Sequence, residues 1–173
     1  MFKYLDIPQI PESIIPSRQE LLDLPYKKKT SVPSAFVWFR TKDCTSLLNE
    51  WIQDIFKVKV PTQFQFVQSG IPKHRDISRH ICMNYILYPG GSNVSTNFYE
   101  DDRETLVHSE IIKEKTWHTL LTCSYHDVTN IDSNEIRIAI GCTPVDQRQY
   151  ALDMFNYILP IIGATGEIRT PDS

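Results

Sequence analysis

The residue types able to do chemistry in this chain are five histidines and the acids and arginine spaced around them. His74-Arg75-Asp76 sets an imidazole two residues before a carboxylate. Such a pair can serve a metal, or it can be a solvated turn pair. With 21 acidic residues in 173, five histidines yield about 0.6 such matches by chance. A second match, His108-Ser109-Glu110, falls in the middle of an expected strand and has no distal histidine at a suitable interval. Context separates the two. His74-Arg75-Asp76 follows the turn Ser69-Gly70-Ile71-Pro72 and precedes the strongest strand signal in the chain. His126 comes 50 residues after Asp76, and Arg137 follows 11 residues later inside the apolar run EIRIAIGC. An arginine there is expensive unless something pairs with it. Glu135, Asp127 and Asp132 are candidate structural partners. His126 has a bland alternative as a hydrogen-bonded core histidine. His80, His108 and His118 read as surface or core residues.

The elements that must position these residues follow from periodicity. Leu47, Leu48, Trp51, Ile52, Ile55 and Phe56 recur at three- and four-residue spacing, which predicts a helix over Lys42–Phe56. Ala35–Arg40 reads as a short strand. Period two then takes over in Val58–Val67, His80–Tyr88, Val94–Tyr99, Thr105–Lys113, Thr116–Cys123 and Glu135–Cys142, with His126–Val128 as a further short strand. Helical spacing returns over Asp146–Leu159. Five prolines punctuate residues 1–33, an irregular arm in which only Ser17–Leu24 suits a short helix. The tail 163–173 shows neither period and reads as disordered or foreign to the fold, leaving 1–162 as one domain. Seven or eight strands between two helices imply a β-barrel or sandwich with helical buttresses.

Composition narrows the function. Lys+Arg is 18 and Asp+Glu 21, a net charge of −3, which argues against bulk nucleic-acid binding. No apolar run approaches the roughly 18 residues of a membrane span. The first residues carry no apolar secretory core, so a cytoplasmic protein without membrane attachment is expected. The four cysteines form no CxxC pair, and Cys82, Cys123 and Cys142 lie in apolar runs, as buried free thiols would. GxGxxG, P-loop and GxSxG sequences do not occur.

The order H-x-D, a long interval, H, about ten residues, R resembles that of the iron(II)- and 2-oxoglutarate-dependent oxygenases. The resemblance runs over about Phe64–Cys142. Tyr125–Ile140, YHDVTNIDSNEIRIAI, is similar to a stretch of aspartyl/asparaginyl β-hydroxylase-like members. Gly90-Gly91 with Thr96-x-Phe98 more loosely resembles a stretch of prolyl-hydroxylase-like members, at a longer Gly-Gly to Thr interval.

The resemblance implies a mainly β chain: a double-stranded β-helix (jelly-roll or cupin-like) barrel with flanking α-helices. It implies that His74, Asp76 and His126 hold Fe(II) on one face and leave the opposite positions open. Arg137 would bind the distal carboxylate of 2-oxoglutarate through its planar fork, with Tyr85, Asn84 and Thr96 as further cosubstrate contacts. The expected reaction is hydroxylation of a small-molecule or peptide substrate, with release of succinate and CO₂. Two alternatives stay open. One is a non-catalytic cupin-like binding module. The other is a metal-dependent hydrolase on the same three ligands, which gives Arg137 no task.

Overall fold

The structure is a computed structural model and describes residues 1–25, 39–56, 60–76, 79–155, 161–162 and 168–169. Residues 35–38 of the first expected strand, and residues 156–159 of the last expected helix, lie outside them. The strands are β1 (Phe2–Tyr4), β2 (Phe39–Asp43), β3 (Thr62–Val67), β4 (Ile71–His74), β5 (Ile81–Tyr88), β6 (Ser95–Tyr99), β7 (Leu106–Glu110), β8 (Trp117–Leu121), β9 (Tyr125–Thr129), β10 (Arg137–Cys142), β11 (Ile161–Ile162) and β12 (Ile168–Arg169). The helices are α1 (Arg18–Asp23), α2 (Ser46–Phe56) and α3 (Gln147–Phe155). No helix among the described residues is long and apolar enough to cross a membrane.

Ten strands form two antiparallel sheets. One is six-stranded, in the order β1-β8-β5-β10-β3-β2, and the other four-stranded, β4-β9-β6-β7. β11 and β12 pair separately, so part of the tail expected to lack structure is a strand. Alternation along β5 makes the two faces. Met83, Tyr85 and Leu87 join Leu21, Leu48, Ile52, Phe64, Trp117, Ile138 and Ile140 in the main core, beneath α1 and α2. Cys82 instead meets Phe98 of β6 and Leu120 of β8, and Ile86 meets Ala139 and Ile112. The sheets thus pack against each other around Cys82, Phe98 and Leu120.

The expected barrel is corrected by this topology: the sheets are not closed into one. Closure needs hydrogen bonds on both sides of every strand. Among the described residues, β1, β2, β4 and β7 each have a single paired neighbour. Alternating hydrophobicity specifies which face a strand buries, but not whether its edge meets another strand.

Other boundaries differ for local reasons. Lys42 and Asp43 belong to β2, and the helix begins only at Ser46. Lys42 is fully buried, donates to the carbonyls of Leu21 and Leu22, and so ties the end of α1 to the large sheet. α1 starts on a capping box in which Ser17 and Glu20 satisfy each other's backbone N–H. The arm is not wholly irregular: β1 pairs with β8, and Trp117 Nε1 donates to Pro8 O. All four cysteines are free; Cys44, Cys82 and Cys142 are buried and Cys123 is half-buried.

One glycine governs the passage between sheets ahead of the candidate site. Gly70 has φ +93°, and a Cβ there would stand 2.5 Å from the carbonyl oxygen of Val128. Gly70→Ala is expected to destabilise the chain by about 2 kcal/mol or more, through strained backbone and a backbone clash. Urea unfolding checks this; an unchanged midpoint would show that the passage tolerates a side chain.

Candidate metal centre

β4 read as a turn in the sequence because of Ser69-Gly70-Ile71-Pro72. It is an edge strand, where proline is tolerated. Its pairing with β9 matches Ile71 with Val128 and His74 with His126, with a register shift in between. Unshifted antiparallel pairing would set Lys73 opposite His126. The extra residue on β4 puts His74 there instead, so both imidazoles face the space between the sheets. The ring centroids are 4.4 Å apart. Phe98 of β6, opposite His126, packs against that ring at 6.2 Å.

Each imidazole is held in the same way. His74 Nδ1 lies 2.8 Å from Pro72 O, and His126 Nδ1 lies 2.8 Å from Ser124 O. A carbonyl can only accept, so each Nδ1 carries a hydrogen, and in the neutral form of either ring the lone pair is on Nε2. Burial, with His74 beside it, pushes the His126 pKa down to about 4, so this ring stays neutral at neutral pH. His74 Nε2 is 3.7 Å from Asp76 Oδ1.

Among the described residues, no three His, Cys, Asp or Glu side chains already stand in an arrangement that could hold a metal ion. Asp76 is engaged by Arg79, whose Nε and Nη2 reach Oδ2 at 2.8 and 2.7 Å. The donor chemistry still suits a divalent ion: two imidazoles, each with Nδ1 held by a carbonyl, and one carboxylate.

Arg137 opens β10 and faces between the sheets, as Ala139 and Gly141 do. It is 7 % exposed, and its Nη2 donates to Thr96 Oγ1 at 3.4 Å. None of the three acids that could have neutralised it forms an ion pair with it. Glu135 pairs with Arg18 at 3.0 Å. Asp127 takes hydrogen bonds from Asn97 and Tyr99 on the opposite face of the small sheet. The Asp132 carboxylate lies against Gly91. Burial pushes the Arg137 pKa down to about 10, so the guanidinium remains charged at neutral pH.

The other expected contacts divide by strand parity. Asn84 faces between the sheets, and its Oδ1 is buried without a partner. Thr96 shares that space. Tyr85 does not: it lies in the main core, its ring 5.1 Å from that of Trp117. Adjacent strand residues point to opposite faces, so Asn84 and Tyr85 cannot serve one site. His118, read as a surface or core residue, sits opposite Asn84 with Nε2 buried and unpartnered. Burial first, then the charge of Arg137, pushes its pKa down to about 3. A signal for it is present in the sequence, because His118 shares the parity of Leu120. The second motif lies on β7, where His108 and Glu110 are 3.5 Å apart and His108 stacks on Phe2.

No family model and no curated protein matches the chain. Several solved structures resemble it. An oxidoreductase of the 2OG-Fe(II) oxygenase family from Burkholderia pseudomallei matches at 11 % identity and TM-score 0.40, over 57 % of this chain and 50 % of that one. Hydroxypropylphosphonic acid epoxidase from S. wedmorenis matches at 6 % identity and TM-score 0.43, over 70 % and 56 %. The oxalate decarboxylase of Lactobacillus farciminis matches at 11 % identity and TM-score 0.42, over 79 % and 40 %. The chain thus spans between 40 % and 56 % of the length of these structures, and its likeness to them is distant.

Proposed function

We propose that the chain is an Fe(II)- and 2-oxoglutarate-dependent dioxygenase that hydroxylates an organic substrate and releases succinate and CO₂. The observation that carries this reading is Arg137. A buried guanidinium with no carboxylate paired to it among the described residues calls for an anionic ligand. The reading is supported by the His74 and His126 rings, 4.4 Å apart, and by Asp76 Oδ1, 3.7 Å from His74 Nε2. Fe(II) held by these three supplies the O₂-dependent oxidation, and the chain supplies position, charge and exclusion of water.

Each side chain then has a task that its surroundings favour. The Pro72 and Ser124 carbonyls keep the Nε2 lone pairs of His74 and His126 pointed inward. Arg137 receives the distal carboxylate of 2-oxoglutarate, and the Thr96 hydroxyl beside it shares the contact. Asn84 offers a polar group from β5 into the same space. A second reading, a binding module for an anionic ligand without turnover, is favoured by one observation: among the described residues no three donor side chains stand in an arrangement that could hold a metal ion.

Turnover separates the two. Fe(II), ascorbate and 2-oxoglutarate are supplied in air, and succinate is measured. The wild-type chain is expected to form succinate slowly even without substrate. Asp76→Ala is expected to abolish this, while His108→Ala leaves it intact. Binding of 2-oxoglutarate without any succinate would establish the binding module instead.

A further inference from the structure

The two oxygens of Asp76 are in unlike positions. Oδ2 accepts from both Nε and Nη2 of Arg79, at 2.8 and 2.7 Å. Oδ1 is turned toward His74 Nε2, 3.7 Å away. A guanidinium facing a carboxylate commonly spreads two nitrogens over two oxygens. Here both nitrogens converge on one oxygen, and the other is left to face His74. The arrangement is anchored from the large sheet. Asp76 N–H donates to Thr122 O at 2.8 Å, and Thr122 Oγ1 donates to Arg79 O at 2.6 Å. One buried residue just beyond β8 therefore grips both members of the pair.

We propose that Arg79 is a positioning residue for the metal centre: it occupies Asp76 Oδ2 so that the carboxylate offers one oxygen, Oδ1, beside His74 Nε2. This rests on the metal-site reading above. A carboxylate that ligates through both oxygens takes two positions on an ion, and one that ligates through a single oxygen takes one. Holding Oδ2 back keeps a position open for other ligands. It also spares the ion the entropy of ordering a swinging carboxylate. The guanidinium charge opposes a second cation nearby, so the sign of the net effect is itself a test. Outer partners of metal ligands typically contribute 10- to 100-fold in affinity, and the grip is expected to outweigh the repulsion.

The test is titration of Co(II) into the wild-type chain, Asp76→Ala, Arg79→Met and Arg79→Lys, read by affinity and by the visible Co(II) absorption, which reports coordination. Circular dichroism checks each fold. Wild type is expected to bind one equivalent, and Asp76→Ala to bind far more weakly. Arg79→Met should lose about 10- to 100-fold and show an altered Co(II) spectrum, because Asp76 is free to turn its second oxygen inward. Arg79→Lys keeps the charge with one donor in place of two, and should recover part of the affinity. No Co(II) binding by wild type, or equal binding by Asp76→Ala, would defeat the metal-site reading itself. Binding by wild type that is lost in Asp76→Ala, yet matched or exceeded in Arg79→Met with an unchanged spectrum, would overturn the role of Arg79 alone. If Arg79→Met does not fold, Arg79→Lys decides: wild-type affinity and spectrum there overturn the proposal.

Discussion

Arg137→Met is expected to lower the affinity for 2-oxoglutarate by about 30- to 5,000-fold. The range converts a loss of roughly 2–5 kcal/mol, the usual cost of truncating one partner of a buried charged contact. Metal affinity without 2-oxoglutarate should stay as in wild type, because Arg137 is not among the candidate ligands. Arg137→Lys should fall between, since it keeps the charge and loses the planar fork. A second sign follows from the same burial. The Arg137 pKa is pushed down to about 10, so the ligand-free chain carries a buried cation that its surroundings disfavour. Relative to the ordinary arginine value this amounts to about 3 kcal/mol. Ligand-free Arg137→Met should therefore melt no lower than wild type, whereas 2-oxoglutarate should raise the melting temperature of wild type only. Calorimetric titration with Mn(II) in place of iron measures the first effect, and thermal melts the second. Wild-type affinity in Arg137→Met would remove 2-oxoglutarate from the reading.

The second large effect is acid sensitivity at His118. Burial, and then the charge of Arg137, push its pKa down to about 3 in the folded chain, against about 6.5 when unfolded, because both disfavour the imidazolium. Between these values the unfolded chain binds a proton that the folded chain does not. Unfolding therefore takes up a proton, and stability falls as pH drops below 6.5. The slope from this residue is about 1.4 kcal/mol per pH unit. Taken to pH 3 the loss approaches about 5 kcal/mol, a large part of the 5–15 kcal/mol typical of a domain. Above pH 6.5 the ring is neutral in both states and contributes no slope. His118→Leu should flatten the profile by that amount, whatever it does to stability at pH 7. Urea unfolding at pH 7, 6, 5 and 4 measures the difference. Equal slopes in both chains would show that the native fold already accommodates the charged ring.

Much of the scaffold is legible in the sequence. β5, β6, β8 and β10 lie where period-two patterning puts them, and α2 lies within the expected helix, because burying one face imposes its period on the residues. The pieces that escape such patterning are too short or too mixed to show a period. β1 has three residues, and β4 carries Pro72 and reads as a turn. Lys42 and Asp43 resemble the start of a helix, yet extend β2, because two α1 carbonyls await the Lys42 ammonium. No local signal marks a partner twenty residues back.

The candidate site divides in the same way. The sequence by itself determined the donor types, His74, Asp76 and His126, and the anomaly of a guanidinium in the apolar run that becomes β10. Those are properties of side-chain chemistry and of the cost of burying charge, and they need no tertiary contacts. Only the tertiary structure decided that His74 and not Lys73 faces His126, because this depends on one extra residue in the pairing of β4 with β9. Only it showed that Glu135 and Asp127 are engaged away from Arg137 and that Asp132 forms no ion pair with it, that Arg79 holds one oxygen of Asp76, and that the sheets remain two and not a closed barrel. Register, edge pairing and the choice among competing partners are set by which strands meet. That is decided by contacts between residues far apart in the chain, which hydrophobic period and local spacing do not encode.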